Sequence, residues 1–124
     1  NSSGQFLQGH QIDRSFYGGL GNLIVTSSTG SNLSFVSTAI PVNAKTVSGS
    51  ILVLPSATGT PFFGICGNSA NIAAQIFEDY TTAASGIQVG FYALPIAVAQ
   101  TLYYTVTITS GTMTITIAAT GYTF

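Results

Sequence analysis

Apolar and polar residues alternate along residues 101–124. In the first half Leu102, Tyr104 and Val106 are every second residue, and a similar alternation resumes after Ser110-Gly111. A period of two is typical of a β-strand with one buried face. With a two-residue turn at Ser110-Gly111, the pattern predicts a hairpin whose two arms pair side by side. One face of this hairpin is apolar, and the other is a flat row of threonines: Thr105, Thr107, Thr109, Thr112, Thr114 and Thr116.

Short strands bounded by Gly, Pro, Asn or Ser are predicted along the rest of the chain. They cover residues 22–28, 33–42, 45–54, 62–66 and 86–98. Residues 71–82 fit a helix through Ile72, Ile76 and Tyr80, but they also show the alternation of a strand. We favour the strand, because few charged residues are present to solvate a helix face.

The spacing of these strands predicts one domain. Seven or eight short strands separated by turns are typical of an antiparallel β-sandwich, and a jelly-roll-like one is expected here. Residues 21–124 are predicted to form this single β-sandwich domain, and the glycine-rich residues 1–20 are predicted to be a lead-in or linker from a preceding domain.

Charged residues are scarce, at 4% of the chain against about 25% in average globular domains. Two basic residues cannot neutralise a row of phosphates, so we expect no nucleic-acid partner. The longest apolar run is broken by Pro95 and is too short to span a bilayer, so we expect no membrane insertion.

Four pairs of adjacent aromatic residues occur in or beside the predicted strands. Neighbouring residues of a strand point to opposite faces, so one member of each pair must leave the core. Outward aromatic rings suit a subunit interface or a sugar-binding face. An isolated monomer with so little charge should aggregate, which favours an interface between copies. The pairs are Phe16-Tyr17, Phe62-Phe63, Phe91-Tyr92 and Tyr103-Tyr104.

Candidate carbohydrate-binding residues are drawn from these aromatics and from the acidic pair. Adjacent carboxylates on a strand diverge, so Glu78 and Asp79 do not form the facing pair that glycoside hydrolysis requires. The predicted carbohydrate-binding residues are Glu78, Asp79, Tyr80, Tyr92 and Tyr103.

No catalytic residue, metal site or cofactor is predicted. His10 is the sole histidine and lies in the predicted lead-in, away from any partner that would make it a catalytic base. Cys66 is the sole cysteine, and its apolar neighbours predict a buried, inert thiol. Neither residue has the spacing of a metal ligand set.

The glycine-rich lead-in, the serine- and threonine-rich strands with almost no charge, and the terminal ITSGTMTITIAATGYTF together resemble the C-terminal domain of bacteriophage tail fibres and tailspikes. The resemblance implies an extracellular β-sandwich in the virion tail, assembled as a homotrimer. Its implied role is non-catalytic: trimerisation of the fibre, recognition of bacterial surface polysaccharide, or both. The alternatives are a carbohydrate-binding module of a secreted protein, a glycan hydrolase and, because the threonine row resembles β-solenoid ice-binding faces, an ice-binding domain.

Overall fold

The computed structural model describes residues 10–12, 15–17, 21–78, 85–108 and 110–124. These residues form ten β-strands, and no helix occurs among them. Within these ranges, accordingly, no helical segment has the length and apolar character needed to cross a membrane. The strands are β1 (His10–Ile12), β2 (Ser15–Tyr17), β3 (Asn22–Thr26), β4 (Gly30–Val36), β5 (Thr46–Pro55), β6 (Phe62–Cys66), β7 (Gln75–Glu78), β8 (Ile87–Pro95), β9 (Thr101–Thr107) and β10 (Met113–Thr123).

Eight of the strands form two four-stranded antiparallel sheets. Sheet A has the order β3-β10-β5-β8, and sheet B has the order β4-β9-β6-β7. The chain therefore pairs as if folded in half, β3 with β10, β4 with β9, β5 with β8 and β6 with β7. This is the strand arrangement of a jelly roll. The predicted antiparallel β-sandwich is confirmed.

The core lies between the two sheets and is built from alternate residues of the long strands. Burying an aliphatic or aromatic side chain there contributes about 1.5–3 kcal/mol. Phe35 and Tyr104 add a tilted ring contact, with centroids 6.0 Å apart. The fully buried side chains come from both sheets: Val47, Ile51, Val53, Phe63, Ile65, Leu102, Val106, Met113, Ile115 and Ile117.

The predicted hairpin of residues 101–124 is wrong in its pairing. β9 lies in sheet B between β4 and β6, and β10 lies in sheet A between β3 and β5. The predicted faces are nevertheless correct, since Leu102, Tyr104 and Val106 are buried from one side of the core and Met113, Ile115 and Ile117 from the other. Alternation identifies the buried face of a strand, but it does not identify the strand that is hydrogen-bonded to its edge.

Because the two strands separate, the predicted single threonine face does not exist. Thr105 lies on the outer side of sheet B, whereas Thr114 and Thr116 lie on the outer side of sheet A. Thr109 is outside the described residues. The geometric premise of the ice-binding alternative is therefore lost.

Most of the other predicted strands agree with the structure. The predicted strand over residues 62–66 coincides with β6, and β7 confirms the strand interpretation within residues 71–82. The strand predicted over residues 33–42 ends earlier, at Val36, because Ile40 N donates to Ser37 O at 3.1 Å and begins a turn.

Part of the predicted lead-in joins sheet A. β1 pairs with β2, and β2 pairs with residues 121–123 of β10, on the same side of β10 as β3. The boundary at residue 20 stays a prediction.

Candidate functional site

The outer surface of sheet B carries a groove of about 240 Å³. All four strands and the loop of residues 67–74 contribute to it. We call it the sheet B groove and define it by the residues Ser31, Asn32, Phe62, Gly64, Asn71, Ile76, Tyr103 and Thr105.

The strand register explains why the groove forms at this place. Alternation along β6 turns Phe62, Gly64 and Cys66 outward and Phe63 and Ile65 into the core. Paired residues share a face, so three rows cross the outer side of sheet B. The middle row has a glycine at its centre and forms a low floor between the two outer rows. The rows are Ser34, Tyr103 and Cys66; Thr105, Gly64 and Ile76; and Thr107, Phe62 and Glu78.

Two aromatic rings therefore flank the floor. Tyr103 lies beside Cys66, and Phe62 lies four residues from Cys66 along β6, which corresponds to about 13 Å along the strand. Gly64 cannot gain a side chain without moving its neighbours, because a Cβ there would lie 2.9 Å from Gln75 O and 3.3 Å from Ile76 Cγ1. The absence of a side chain at this position keeps the floor open.

Asn32 forms the β4 side of the groove at an irregularity in the β4–β9 pairing. Its φ of 53° is in the left-handed region, which Asn tolerates better than most residues. The backbone N donates to Thr105 Oγ1 at 2.9 Å, and Nδ2 donates to Ser69 O at 2.7 Å. Asn32 Oδ1 is buried and accepts no hydrogen bond from the described residues.

Residues 67–74 close the end of the groove near Cys66. Asn68 holds this loop by accepting from Ile72 N at 3.0 Å and donating through Nδ2 to Ile72 O at 2.7 Å. Cys66 Sγ donates to the same carbonyl at 3.1 Å. Burial of Cys66 is confirmed, but the thiol lies under this loop on the outer side of sheet B and does not belong to the sandwich core.

Among the described residues, the groove carries no charge apart from one residue at its rim. Lys45 and Glu78 are the only Asp, Glu, Lys or Arg residues within the described ranges. Lys45 directly precedes β5 of sheet A, whereas Glu78 is exposed at the end of β7, in the same row as Phe62. Within the same ranges, no three His, Cys, Asp or Glu residues come together as a metal site would require.

The five predicted carbohydrate-binding residues do not form one cluster. Tyr103 lines the sheet B groove and Glu78 lies at its rim. Tyr92 is on β8 of sheet A, where it borders a small hollow with Thr46 and Ser48. Asp79 and Tyr80 are outside the described residues.

The prediction that one member of each aromatic pair leaves the core is confirmed in three pairs. Phe91 is 3% exposed and Tyr92 is 73% exposed. Phe63 and Tyr104 are likewise buried, while Phe62 and Tyr103 point outward. The side chains of Phe16 and Tyr17 are outside the described part of the chain.

The outer side of sheet A carries no charge in its described rows. Val25, Thr116, Leu52 and Gln88 form one row, and Thr114 and Leu54 form the next. Val25 is 57% exposed and Leu54 is 42% exposed. The two sides of the sandwich therefore differ: sheet B carries the larger groove, and the described rows of sheet A present exposed Val and Leu side chains beside Thr and Gln.

No protein-family model matches this chain, and no curated protein is detectably similar to it in sequence. Function is therefore inferred from the geometry of the two outer surfaces.

Proposed function

We propose that the domain is a non-catalytic receptor-binding module of a phage tail fibre or tailspike, which recognises bacterial surface polysaccharide through the sheet B groove. The observation that carries this proposal is the pair of outward rings, Phe62 and Tyr103, on either side of the floor formed by Thr105 and Gly64. A pyranose ring has an apolar C–H face that packs on an aromatic ring, and its hydroxyl groups form hydrogen bonds with polar side chains. The groove supplies both aromatic rings and polar side chains.

The size of the groove suits a short segment of a glycan. Its volume of about 240 Å³ is below the roughly 300–1,000 Å³ of pockets that enclose drug-sized ligands. We therefore expect one or two sugar units to be seated while the rest of the polysaccharide extends over the rim.

The placement of the carboxylates favours a binding role over hydrolysis. Cleavage of a glycosidic bond uses two carboxyl groups facing each other across the bond. Glu78 is the only carboxylate at the groove among the described residues, and it lies at the rim.

Alanine substitution tests the groove. Tyr103→Ala and Phe62→Ala each remove a stacking surface, so we expect binding to bacterial surface polysaccharide to weaken about tenfold or more, or about 1.4 kcal/mol. Tyr92→Ala is the control, because it removes an outward ring from sheet A. Affinity electrophoresis or a glycan array measures the effect. Equal retention of all three variants, or loss only in Tyr92→Ala, contradicts the assignment.

We also propose that the domain assembles with copies of itself as a homotrimer, and the uncharged outer side of sheet A supports this second role. Exposed aliphatic groups without charges can pack against neighbouring copies around a three-fold axis without burying an unpaired ion. Light scattering on Leu52→Lys should then show dissociation to monomers, whereas Val36→Lys on sheet B leaves the trimer intact. If the wild-type chain is a monomer at micromolar concentration, the assembly proposal is wrong, and the proposal of glycan binding by the sheet B groove is unaffected.

A further inference from the structure

We infer that the sheet B groove selects electrically neutral sugars and rejects sugars that carry a carboxylate, sulfate or phosphate. This inference rests on the glycan binding proposed above and narrows it to one chemical class of ligand. Two features of the groove support it: its neutral lining and the position of Glu78.

The first feature is the absence of a cation from the described lining. An anionic group that enters a groove loses part of its hydration, which a Lys or Arg side chain usually replaces. The residues that line this groove are all uncharged. Lys45, the one cation among the described residues, precedes a strand of the opposite sheet.

The second feature is the carboxylate at the rim. Glu78 is paired with Phe62 across β6 and β7, so both point to the outer side of sheet B. A sugar that stacks on Phe62 therefore lies beside Glu78. An acidic substituent on that sugar meets a like charge, and this repulsion weakens as salt is added.

Matched pairs of oligosaccharides test the inference on the intact chain. Each pair consists of a neutral hexose oligomer and its uronic acid counterpart, in which only the C6 hydroxymethyl group becomes a carboxylate. An array of such pairs identifies the hexose configuration, and titration calorimetry then measures both members at low salt. We expect the neutral member to bind at least about tenfold more tightly. This ratio should shrink as salt is raised.

Two charge-neutralising variants distinguish the local effect of the Glu78 carboxylate from an effect of the net charge of the chain. Glu78→Gln should raise the affinity for the uronic acid member and reduce the ratio, because the like charge is removed. Lys45→Gln changes the charge at a distance from the groove and should leave the ratio unchanged. An unchanged ratio in Glu78→Gln overturns the part assigned to the rim.

Failure of the inference differs from failure of the proposed function. If the uronic acid member binds as tightly as the neutral one and Tyr103→Ala abolishes both, the groove binds glycans and the neutral preference is wrong. If neither member of any pair binds, glycan recognition itself is wrong and the preference falls with it.

Discussion

Gly49→Ala is a substitution for which the structure predicts a large loss of stability. Gly49 is in β5, between Ala119 of β10 and Phe91 of β8, next to irregularities in both pairings. A Cβ at this position would lie 1.9 Å from Ala118 O and 2.8 Å from Phe91 Cζ, and contacts under 3.0 Å essentially never occur. The carbonyl belongs to the backbone of the adjacent strand, so the sheet itself must move by more than about 1 Å, a shift larger than the rotamer and backbone adjustments that relieve ordinary overpacking.

Overpacking a core by side-chain atoms costs about 1–3 kcal/mol, and a clash between backbones in a central strand belongs at or above the upper end. We therefore expect Gly49→Ala to lower the free energy of unfolding by at least about 3 kcal/mol, out of the roughly 5–15 kcal/mol typical of a domain. For a chain of this size the melting temperature should fall by about 10 °C or more.

Urea unfolding followed by circular dichroism measures the effect, and Gly90→Ala is the matched control. Gly90 is in the neighbouring strand β8, opposite Ser50, and its added Cβ would meet only Gly49 O at 3.6 Å. Alanine also has less conformational freedom in the unfolded chain, so this variant should be neutral or more stable by up to about 1 kcal/mol. Equal unfolding free energies for the two variants would refute the reasoning.

Three other predictions concern single side chains. Burial raises the pKa of Tyr122 from 10.0 to about 12. The unfolded chain therefore loses the phenol proton at a lower pH than the folded chain. The stability contributed by the neutral phenol is fully present below pH 10 and falls by up to about 2 kcal/mol between pH 10 and 12. Tyr122→Phe should remove this part of the pH dependence in unfolding titrations. The thiol of Cys66 should react with a chromogenic disulfide only when the chain unfolds; rapid reaction of the native chain would contradict its burial. Tyr104→Phe deletes the hydrogen bond from the phenol to Ser28 O, and denaturant unfolding should show a loss of about 1 kcal/mol; no loss would mean that water replaces the phenol.

The sequence predicts the buried faces well because each strand carries its own alternation. Leu102, Tyr104 and Val106 were correctly assigned to the core from spacing alone. Pairing could not be predicted in the same way, because Ser110-Gly111 is a local turn signal and the partner of β9 is set by the wrapping of the whole chain. A short turn can connect two strands of one sheet or lead from one sheet to the other.

The candidate site could also be predicted only in part from the sequence. Tyr103 was predicted because an aromatic pair on a strand must present one ring outward. Ser31, Asn32 and Asn71 carry no comparable signal, since they reach the groove only through the order β4-β9-β6-β7, the irregularity at Asn32 and the fold of residues 67–74. Phe62 belongs to the same kind of aromatic pair as Tyr103. The sequence does not show, however, that the two rings lie on opposite sides of one groove floor.

The central position of β10 in sheet A has a consequence for biosynthesis. β10 follows the other described strands along the chain, yet β3 and β5 both form ladder hydrogen bonds with it. While the ribosome is still translating residues 113–123, β3 and β5 have no common neighbour and their edges stay open. Closing contacts between such distant segments is entropically slow. Nascent chains should therefore gain protease resistance in a single late step, after β10 has left the exit tunnel.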